Sequence, residues 1–258
     1  MIFDSHVHIP SPETGLTAEW HPFTPDLEAA VAYLRRCRVG RAIAGCTRAL
    51  RAQTPEEMVA GNNETAGAVR DYPDLFVPTC QVKPSFGAAA RDEVRRCHDE
   101  LGMVWVGELF TTAMNIPNGN DALAEVVRTA AQLHMVAQVH SDDTSAMDWL
   151  CTEFPEATLV LPHPGDSPQE TAEKCGLAAK HPNMYIDLSG HGVQRMGVLD
   201  LAVRCAGPER VLFGSDYTIN DPAAVIATIQ ASYLDEDTKA KMLGTNVVRM
   251  LAERGVQV

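Results

Sequence analysis

Short apolar runs alternate along the whole chain with longer segments of helical periodicity. The short runs are rich in β-branched residues and hold few polar ones, which is typical of strands buried on both faces of a sheet. The first helical segment opens at the N-cap-like Thr24-Pro25-Asp26 and repeats apolar residues at Leu27, Val31 and Leu34. The predicted strands are Ile2–Phe3, Arg41–Cys46, Leu75–Val82, Met103–Phe110, Met135–His140, Thr158–Leu161, Met184–Leu188 and Val211–Phe213.

Eight strand–helix units in succession predict a parallel sheet with helices packed outside it. The strands recur about every 25–40 residues, the size of a strand–helix unit with short loops, and eight such units favour closure into a (β/α)8 TIM barrel, whose typical length of about 250 residues is close to that of this chain. No Pro/Gly-rich linker, low-complexity stretch or charge block divides the sequence. We therefore predict one α/β barrel domain over residues 1–258.

Composition and charge narrow the range of partners. Hydrophobic residues make up 45% of the chain and charged residues 21%, as in ordinary globular proteins. A net charge of −13 disfavours nucleic acid and anionic membranes. The chain has no membrane-spanning apolar run and no signal peptide at its start, which predicts a cytoplasmic protein. The expected partner is a small-molecule substrate, and the sequence leaves the oligomeric state open, a homo-oligomer included.

Ionisable residues cluster at the carboxyl ends of predicted strands, which share one mouth in a parallel barrel. They are His6 and His8 after strand one, Glu108 at the end of strand four, His140 on strand five, His163 on strand six and Asp216 on strand eight. His6 and His8 are two positions apart, so their side chains leave the same face of an extended segment.

A divalent cation is the simplest way to neutralise carboxylates enclosed among these imidazoles. The alternative is a purely structural network of histidines and acids. Imidazole nitrogen and carboxylate oxygen suit zinc first, and manganese, iron or cobalt as well. No pair of cysteines has C-x-x-C spacing, so a thiolate zinc site is not predicted. We expect one or two metal ions per chain.

Several segments resemble the amidohydrolase superfamily of metal-dependent barrels, and within it amidohydrolase family 2. The matching segments are Phe3-Asp4-Ser5-His6-Val7-His8, Val139-His140-Ser141, Leu161-Pro162-His163-Pro164-Gly165, Phe213-Gly214-Ser215-Asp216-Tyr217 and the closing stretch from Met242 to Leu251. The resemblance implies a distorted TIM barrel whose histidines and strand-eight aspartate surround one or two metals.

Glu108 leaves the metal count open. If the chain is similar to mononuclear relatives, His6, His8, His140 and Asp216 hold one metal and His163 serves as acid/base or polarises the substrate. If it is similar to TatD-like relatives, the Gly-Glu pair at Glu108 bridges two metals, with His140 and His163 on the second. A third interpretation makes Glu108 a carboxylate that only orients a ligand.

The resemblance and the ligand set predict a metal-dependent hydrolase as the first interpretation. A metal-activated water would attack an amide, lactone, ester or phosphoester, with Asp216 accepting the proton and His163 polarising the substrate oxygen. The alternative is a metal-dependent non-oxidative decarboxylase of the same superfamily. The net negative charge disfavours a TatD-like nuclease. A binding protein that has lost catalysis is also disfavoured, because every expected ligand position is filled.

Weaker candidates for substrate contact also follow predicted strands. They are Arg48 after strand two, with Arg51 beside it, Lys83 at the end of strand three, and Ser189 and His191 after strand seven. A cation in such a loop could bind a substrate carboxylate or phosphate, and capping or surface roles are the alternative. The substrate itself stays unidentified at the level of sequence.

Overall fold

The computed structural model describes residues 1–15, 24–111, 114, 121–190 and 192–257. Within those ranges, eight parallel strands form one sheet in the order of the chain. The strands are β1 (Ile2–Ile9), β2 (Val39–Cys46), β3 (Phe76–Cys80), β4 (Trp105–Phe110), β5 (Val136–His140), β6 (Thr158–Pro162), β7 (Met184–Asp187) and β8 (Val211–Leu212). The predicted (β/α)8 barrel is confirmed, whereas the single domain over 1–258 stays a prediction.

Helices cover this sheet, most of them between successive strands and the last three after β8. In the described residues they are α1 (Leu27–Arg36), α2 (Thr47–Leu50), α3 (Pro55–Asp71), α4 (Ala88–Leu101), α5 (Asp121–Gln132), α6 (Thr144–Glu153), α7 (Pro168–Lys180), α8 (Val198–Ala206), α9 (Pro222–Ala231), α10 (Glu236–Ala240) and α11 (Asn246–Ala252). None of them has both the length and the apolar character that crossing a membrane requires.

The last strand meets the first through individual hydrogen bonds along a seam. The Ser5 amide donates to the Phe213 carbonyl at 2.9 Å, and the Asp216 amide donates to the His6 carbonyl at 2.9 Å. Further along, the His8 amide donates to the Tyr217 carbonyl. These bonds close the barrel and bring the segment after β8 alongside β1.

A layer of apolar side chains fills the amino-terminal end of the barrel. Each strand contributes one residue, and α11 covers them from below; the set is Phe3, Ile43, Val77, Trp105, Val136, Val160, Tyr185 and Leu212 with Val247, Met250 and Leu251. Side chains alternate along a strand, so positions two residues further on also face the interior. Those positions include Gln138 and Asp187, and they place polar groups directly above the apolar layer.

Strands β1 and β8 differ from their predicted lengths. The prediction ended β1 at Phe3 because polar residues follow, but pairing with β2 continues to Ile9, opposite Cys46. His6 and His8 therefore lie within the strand rather than after it. At the other end β8 is only two residues long, and the Phe213 amide donates instead to the Met242 carbonyl at 2.8 Å.

Candidate metal centre

Four predicted ligands bring their donor atoms together at the seam. His6 Nε2 lies 3.1 Å from His8 Nε2. Glu108 Oε2 lies 3.7 Å from His6 Nε2 and 3.5 Å from His8 Nε2. Asp216 Oδ1 lies 3.6 and 3.2 Å from the same two nitrogens. Ligands held about 2.1 Å from one ion lie about 3.0–3.4 Å apart, so this first donor group has the spacing of a coordination shell.

The local fold places each of these four side chains. The two-residue repeat of β1 directs His6 and His8 to the same side, and the seam bond between the Asp216 amide and the His6 carbonyl brings in Asp216. Glu108 lies on β4, where the pairing with β5 shifts register between Val106 and Leu109. Register shifts of this kind redirect side chains and are common next to active sites.

Glu108 also faces a second donor group through its other oxygen. Glu108 Oε1 lies 2.6 Å from His140 Nδ1 and 3.4 Å from His163 Nε2. The His140 ring is stacked on Phe110, with ring centres 3.9 Å apart and planes 4° apart. One carboxylate thus lies between two potential metal-binding groups, His6–His8–Glu108 and Glu108–His140–His163.

Asp187 supports His6 from behind, and sequence reasoning missed it. Its Oδ2 lies 2.8 Å from His6 Nδ1 and accepts a hydrogen bond from Gln138 Nε2 at 2.7 Å. A carboxylate on the second nitrogen of a ligating imidazole fixes the ring and its tautomer. A Cβ at Gly214 would lie 2.0 Å from Asp187 Oδ1, so glycine leaves the space this carboxylate occupies. The missed signal was present, because Asp187 is the last residue of β7.

The imidazoles of the centre balance the charge of its carboxylates. Burial raises the pKa of Glu108, yet the imidazoles of His6, His140 and His163 hold that pKa well below its usual range. Burial lowers the pKa of His6, but Asp187 and Glu108 raise it well above the usual value. The carboxylates therefore require positive charge beside them, which a divalent cation supplies while leaving the imidazoles neutral.

The centre contains two residues with strained backbone and two buried polar atoms that lack a hydrogen-bond partner among the described residues. His163 and Asp216 have φ of 63° and 60°, a left-handed conformation that costs a non-glycine residue about 1–3 kcal/mol. Among the described residues, the buried Asp216 Oδ1 and His8 Nδ1 have no hydrogen-bond partner. An oxygen buried beside two imidazole nitrogens without a hydrogen bond of its own is suited to binding a cation.

A cavity of about 710 Å³ opens over both donor groups at the carboxyl end of the barrel. Lys83 and Ser189 line it as predicted, and Arg51 lines it from the loop after α2. Its wall also includes Phe110, Lys174, Asp142, Asp166, Glu170 and Ile219 together with five of the six predicted ligands, His8, Glu108, His140, His163 and Asp216. Lys174, on α7, was not among the sequence candidates.

One predicted substrate contact, Arg48, is not brought to this cavity. The Arg48 guanidinium is 2.5 Å from Glu64 Oε1 and 2.6 Å from Glu13 Oε2, so carboxylates of the chain already occupy it. Arg48 is absent from the cavity wall. Arg51, three residues later, lines the cavity in the place predicted for Arg48. His191 lies outside the described residues.

Comparison with known proteins identifies the family. The family model described as Amidohydrolase matches residues 3–252. The chain belongs to the amidohydrolase family. The resemblance drawn from the sequence motifs is thereby confirmed, and the chain is an enzyme of that superfamily. No curated protein sequence matches this amidohydrolase.

Solved structures share the fold of this amidohydrolase at low identity. The 5-carboxyvanillate decarboxylase from Sphingomonas paucimobilis is 15% identical with a TM-score of 0.73, over 97% of this chain and 98% of that one. The 2,6-dihydroxybenzoate decarboxylase from Rhizobium is 14% identical with a TM-score of 0.73, over 98% of each chain. A dihydroxybenzoic acid decarboxylase from Polaromonas, with bound manganese and 2-nitroresorcinol, is 15% identical with a TM-score of 0.73, over 97% and 96%.

The family and the His6–His8–Glu108 group together support a divalent metal in this amidohydrolase. The donor atoms of this group have the chemistry and spacing for it. His6, His8, Glu108 and Asp216 would hold a first ion, and His140 and His163 would complete a site for a second ion that shares Glu108.

Glu108→Gln tests whether the carboxylate is shared by two ions. We expect the wild-type chain, grown with added zinc or manganese, to approach two metals per chain. The variant should fall towards one, because an amide presents a single neutral oxygen and bridges two cations poorly. Elemental analysis of dialysed protein measures the ratio, with Glu156→Gln, at an exposed position away from this cavity, as the matched control. If the wild-type chain binds one metal and Glu108→Gln leaves that number unchanged, Glu108 does not bridge two ions.

Proposed function

We propose that this amidohydrolase is a metal-dependent non-oxidative decarboxylase that acts on an aromatic carboxylic acid. The first interpretation from sequence was hydrolysis, and the comparisons favour its alternative. The reported structural neighbours are decarboxylases of substituted benzoic acids and superpose over nearly the whole chain. We further propose zinc or manganese as the metal, the latter because it is bound in one of these neighbours.

The pair of cations Arg51 and Lys83 in the cavity wall carries this proposal. Both line the cavity that opens over the donor groups. Among the described residues, no carboxylate lies within ion-pair distance of either cation. Lys83 instead lies over the Phe86 ring, 5.5 Å from its centre. Cations in a cavity wall that form no ion pair with the described residues favour an anionic substrate, and an arginine on a β–α loop is suited to bind a carboxylate.

The residues of the centre divide the work of such a reaction. When bound, a divalent metal supplies electrostatic polarisation of substrate oxygen atoms. Asp216, at the edge of the first donor group, takes a proton from solvent and delivers it to the ring carbon as the carbon–carbon bond breaks. The bonding electron pair stays on the ring carbon, the new carbon–hydrogen bond forms there, and carbon dioxide leaves. His163 faces the same cavity, and with a single metal bound its imidazole would be free to donate to a substrate oxygen.

An activity screen with isotope labels tests the reaction. We expect carbon dioxide release from ortho-hydroxylated benzoic acids, some carrying a second carboxylate, with deuterium from D₂O taken up on the ring. No ¹⁸O from labelled water should enter the aromatic product, because no water adds across a bond. Arg51→Gln should raise KM for the substrate that turns over, and Arg48→Gln, with its guanidinium held elsewhere, should not.

Hydrolysis stays the second candidate because Glu108 lies between two donor groups, and a paired metal site most naturally activates water. The same screen includes lactones, cyclic amides, carboxylic esters and small phosphodiesters in H₂¹⁸O. Turnover of one of these with heavy oxygen in the product, and none of the aromatic acids, would decide for the hydrolase and against the proposed decarboxylase.

A further inference from the structure

A buried lysine joins the two loops that carry the histidines of the second donor group. Lys174 lies on α7 with its side chain only 3% exposed. Its ammonium nitrogen lies 2.9 Å from Glu170 Oε1 and 3.6 Å from Asp142 Oδ1, and it donates to the His163 carbonyl at 3.3 Å. Asp142 lies two residues after His140. Lys174 therefore touches the loop after β5 and the loop after β6 at once.

The turn after His163 is held in place by its own side chains and those of its neighbours. The Asp166 amide donates to Glu170 Oε2 at 2.9 Å, and Arg195 Nη1 donates to the Asp166 carbonyl at 2.6 Å. A Cβ at Gly165 would lie 2.5 Å from Glu170 Cγ and Cδ, so the glycine lets Glu170 approach this closely. Glu170 thus binds the turn at Asp166 and binds Lys174 through its other oxygen.

His163 itself needs such support. Its left-handed φ of 63° is unfavourable for a residue with a side chain, and such conformations persist only where the surroundings over-determine them. The His163 amide donates to the Asp187 carbonyl at 3.1 Å, and the His163 carbonyl accepts a hydrogen bond from Lys174 Nζ. With its backbone held on both sides, the imidazole reaches Ser189 Oγ at 3.0 Å and Glu108 Oε1 at 3.4 Å.

We propose that Lys174 is a positioning residue, which sets the His163 imidazole over the cavity through the His163 carbonyl. A buried ammonium group is costly unless it is fully paired, and here two carboxylates and one carbonyl surround it. Lys180, on the same helix, is 60% exposed and pairs with Asp148 on α6, away from both loops. The consequence of this positioning for turnover rests on the proposed function, whereas the placement of the ring does not.

The double variant Lys174→Met/Glu170→Gln removes the ammonium without leaving the Glu170 carboxylate, whose side chain is 39% exposed, unpaired. The glutamine amide oxygen can still accept from the Asp166 amide, and Asp142 is exposed, so the variant is expected to fold. In ¹⁵N NMR spectra of the metal-loaded full chain, we expect the His163 ring signals to shift or broaden. The His6 and His8 signals should stay in place, and Lys180→Met should leave all three unchanged. His163→Gln assigns the His163 signals.

Turnover gives a second readout on whichever substrate the screen finds. We expect the double variant to lose about 10–100-fold in kcat with KM changed less than about threefold, because orientation rather than substrate binding is affected. A folded double variant whose His163 signals match those of the wild type would overturn the proposal. If the wild-type chain has no activity on either panel but these signals still move, the proposed function fails and the positioning role stands.

A measurement on the unaltered chain covers the case of a variant that does not fold. With ¹⁵N-labelled lysine and ¹³C-labelled carbonyls, a coupling across the hydrogen bond should join Lys174 Nζ to the His163 carbonyl carbon. Absence of that coupling in spectra that resolve the Lys174 ammonium would contradict the proposal directly.

Discussion

Asp216→Asn is expected to lower kcat by a factor of about 10²–10⁴ while the protein keeps most of its metal. An amide oxygen can still coordinate an ion, but an amide neither accepts nor releases a proton at neutral pH. Asp216 is the proposed ligand best placed for proton transfer, because it lines the cavity and its Oδ1 has no hydrogen-bond partner in the described residues. Steady-state kinetics and elemental analysis of the same preparation separate the two effects.

Asp166→Asn is the matched control for this change. Asp166 also lines the cavity, but its carboxylate belongs to neither donor group. Its kcat should stay within about threefold of the wild-type value. Wild-type turnover by Asp216→Asn would require that another group move the proton, and the role of Asp216 would have to be abandoned.

His8→Ala is expected to lose both the metal and all measurable turnover. His8 Nε2 is within 3.5 Å of three other donor atoms of the first group, so its removal opens the centre of that group. His98→Ala is the control, since His98 is an exposed histidine on α4 that pairs with Asp99. We expect metal per chain near zero for His8→Ala after dialysis and no change for His98→Ala.

Thermal unfolding provides a second readout of the same loss. A ligand present at 100 times its Kd stabilises the folded state by about 2.7 kcal/mol, so the Tm of the wild type should fall when a chelator is added. The Tm of His8→Ala should not respond to the chelator. A His8→Ala protein that retains stoichiometric metal would mean that the ion is bound elsewhere, and the first donor group would lose its assignment.

The candidate ligands could be predicted from sequence because their positions follow from strand order. Parallel strands share one mouth, so His6, His140 and Asp216 had to meet once the strands were recognised. The supporting residues could not be found in this way. Lys174 is one of several charged residues on α7, and its burial depends on how that helix packs on the two loops. Choosing Arg51 over Arg48 likewise depends on which carboxylates lie nearby in space.

Asp187, which holds the His6 imidazole, also met the positional criterion used for the candidate ligands, because it lies at the carboxyl end of a strand. It was overlooked because a single aspartate at the end of a strand has no motif around it. The sequence also favoured hydrolysis over decarboxylation, and this choice shows a second limit of prediction from strand-end residues. Residues at strand ends define the metal centre, whereas the loops that face the cavity select the reaction.

The seam between the first and last strands has a consequence for how the barrel forms and opens. The Ser215 amide donates to Asp4 Oδ1 at 2.9 Å across 211 positions of sequence, near the greatest separation the chain allows. Contacts of such separation cost the most loop entropy and form late in folding. His6 and His8 lie on one side of this seam and Asp216 on the other, so the donor group is complete only in the closed barrel. An ion held by all three would cross-link the first strand to the segment after the last one. Opening of the barrel at the seam would then require release of the ion.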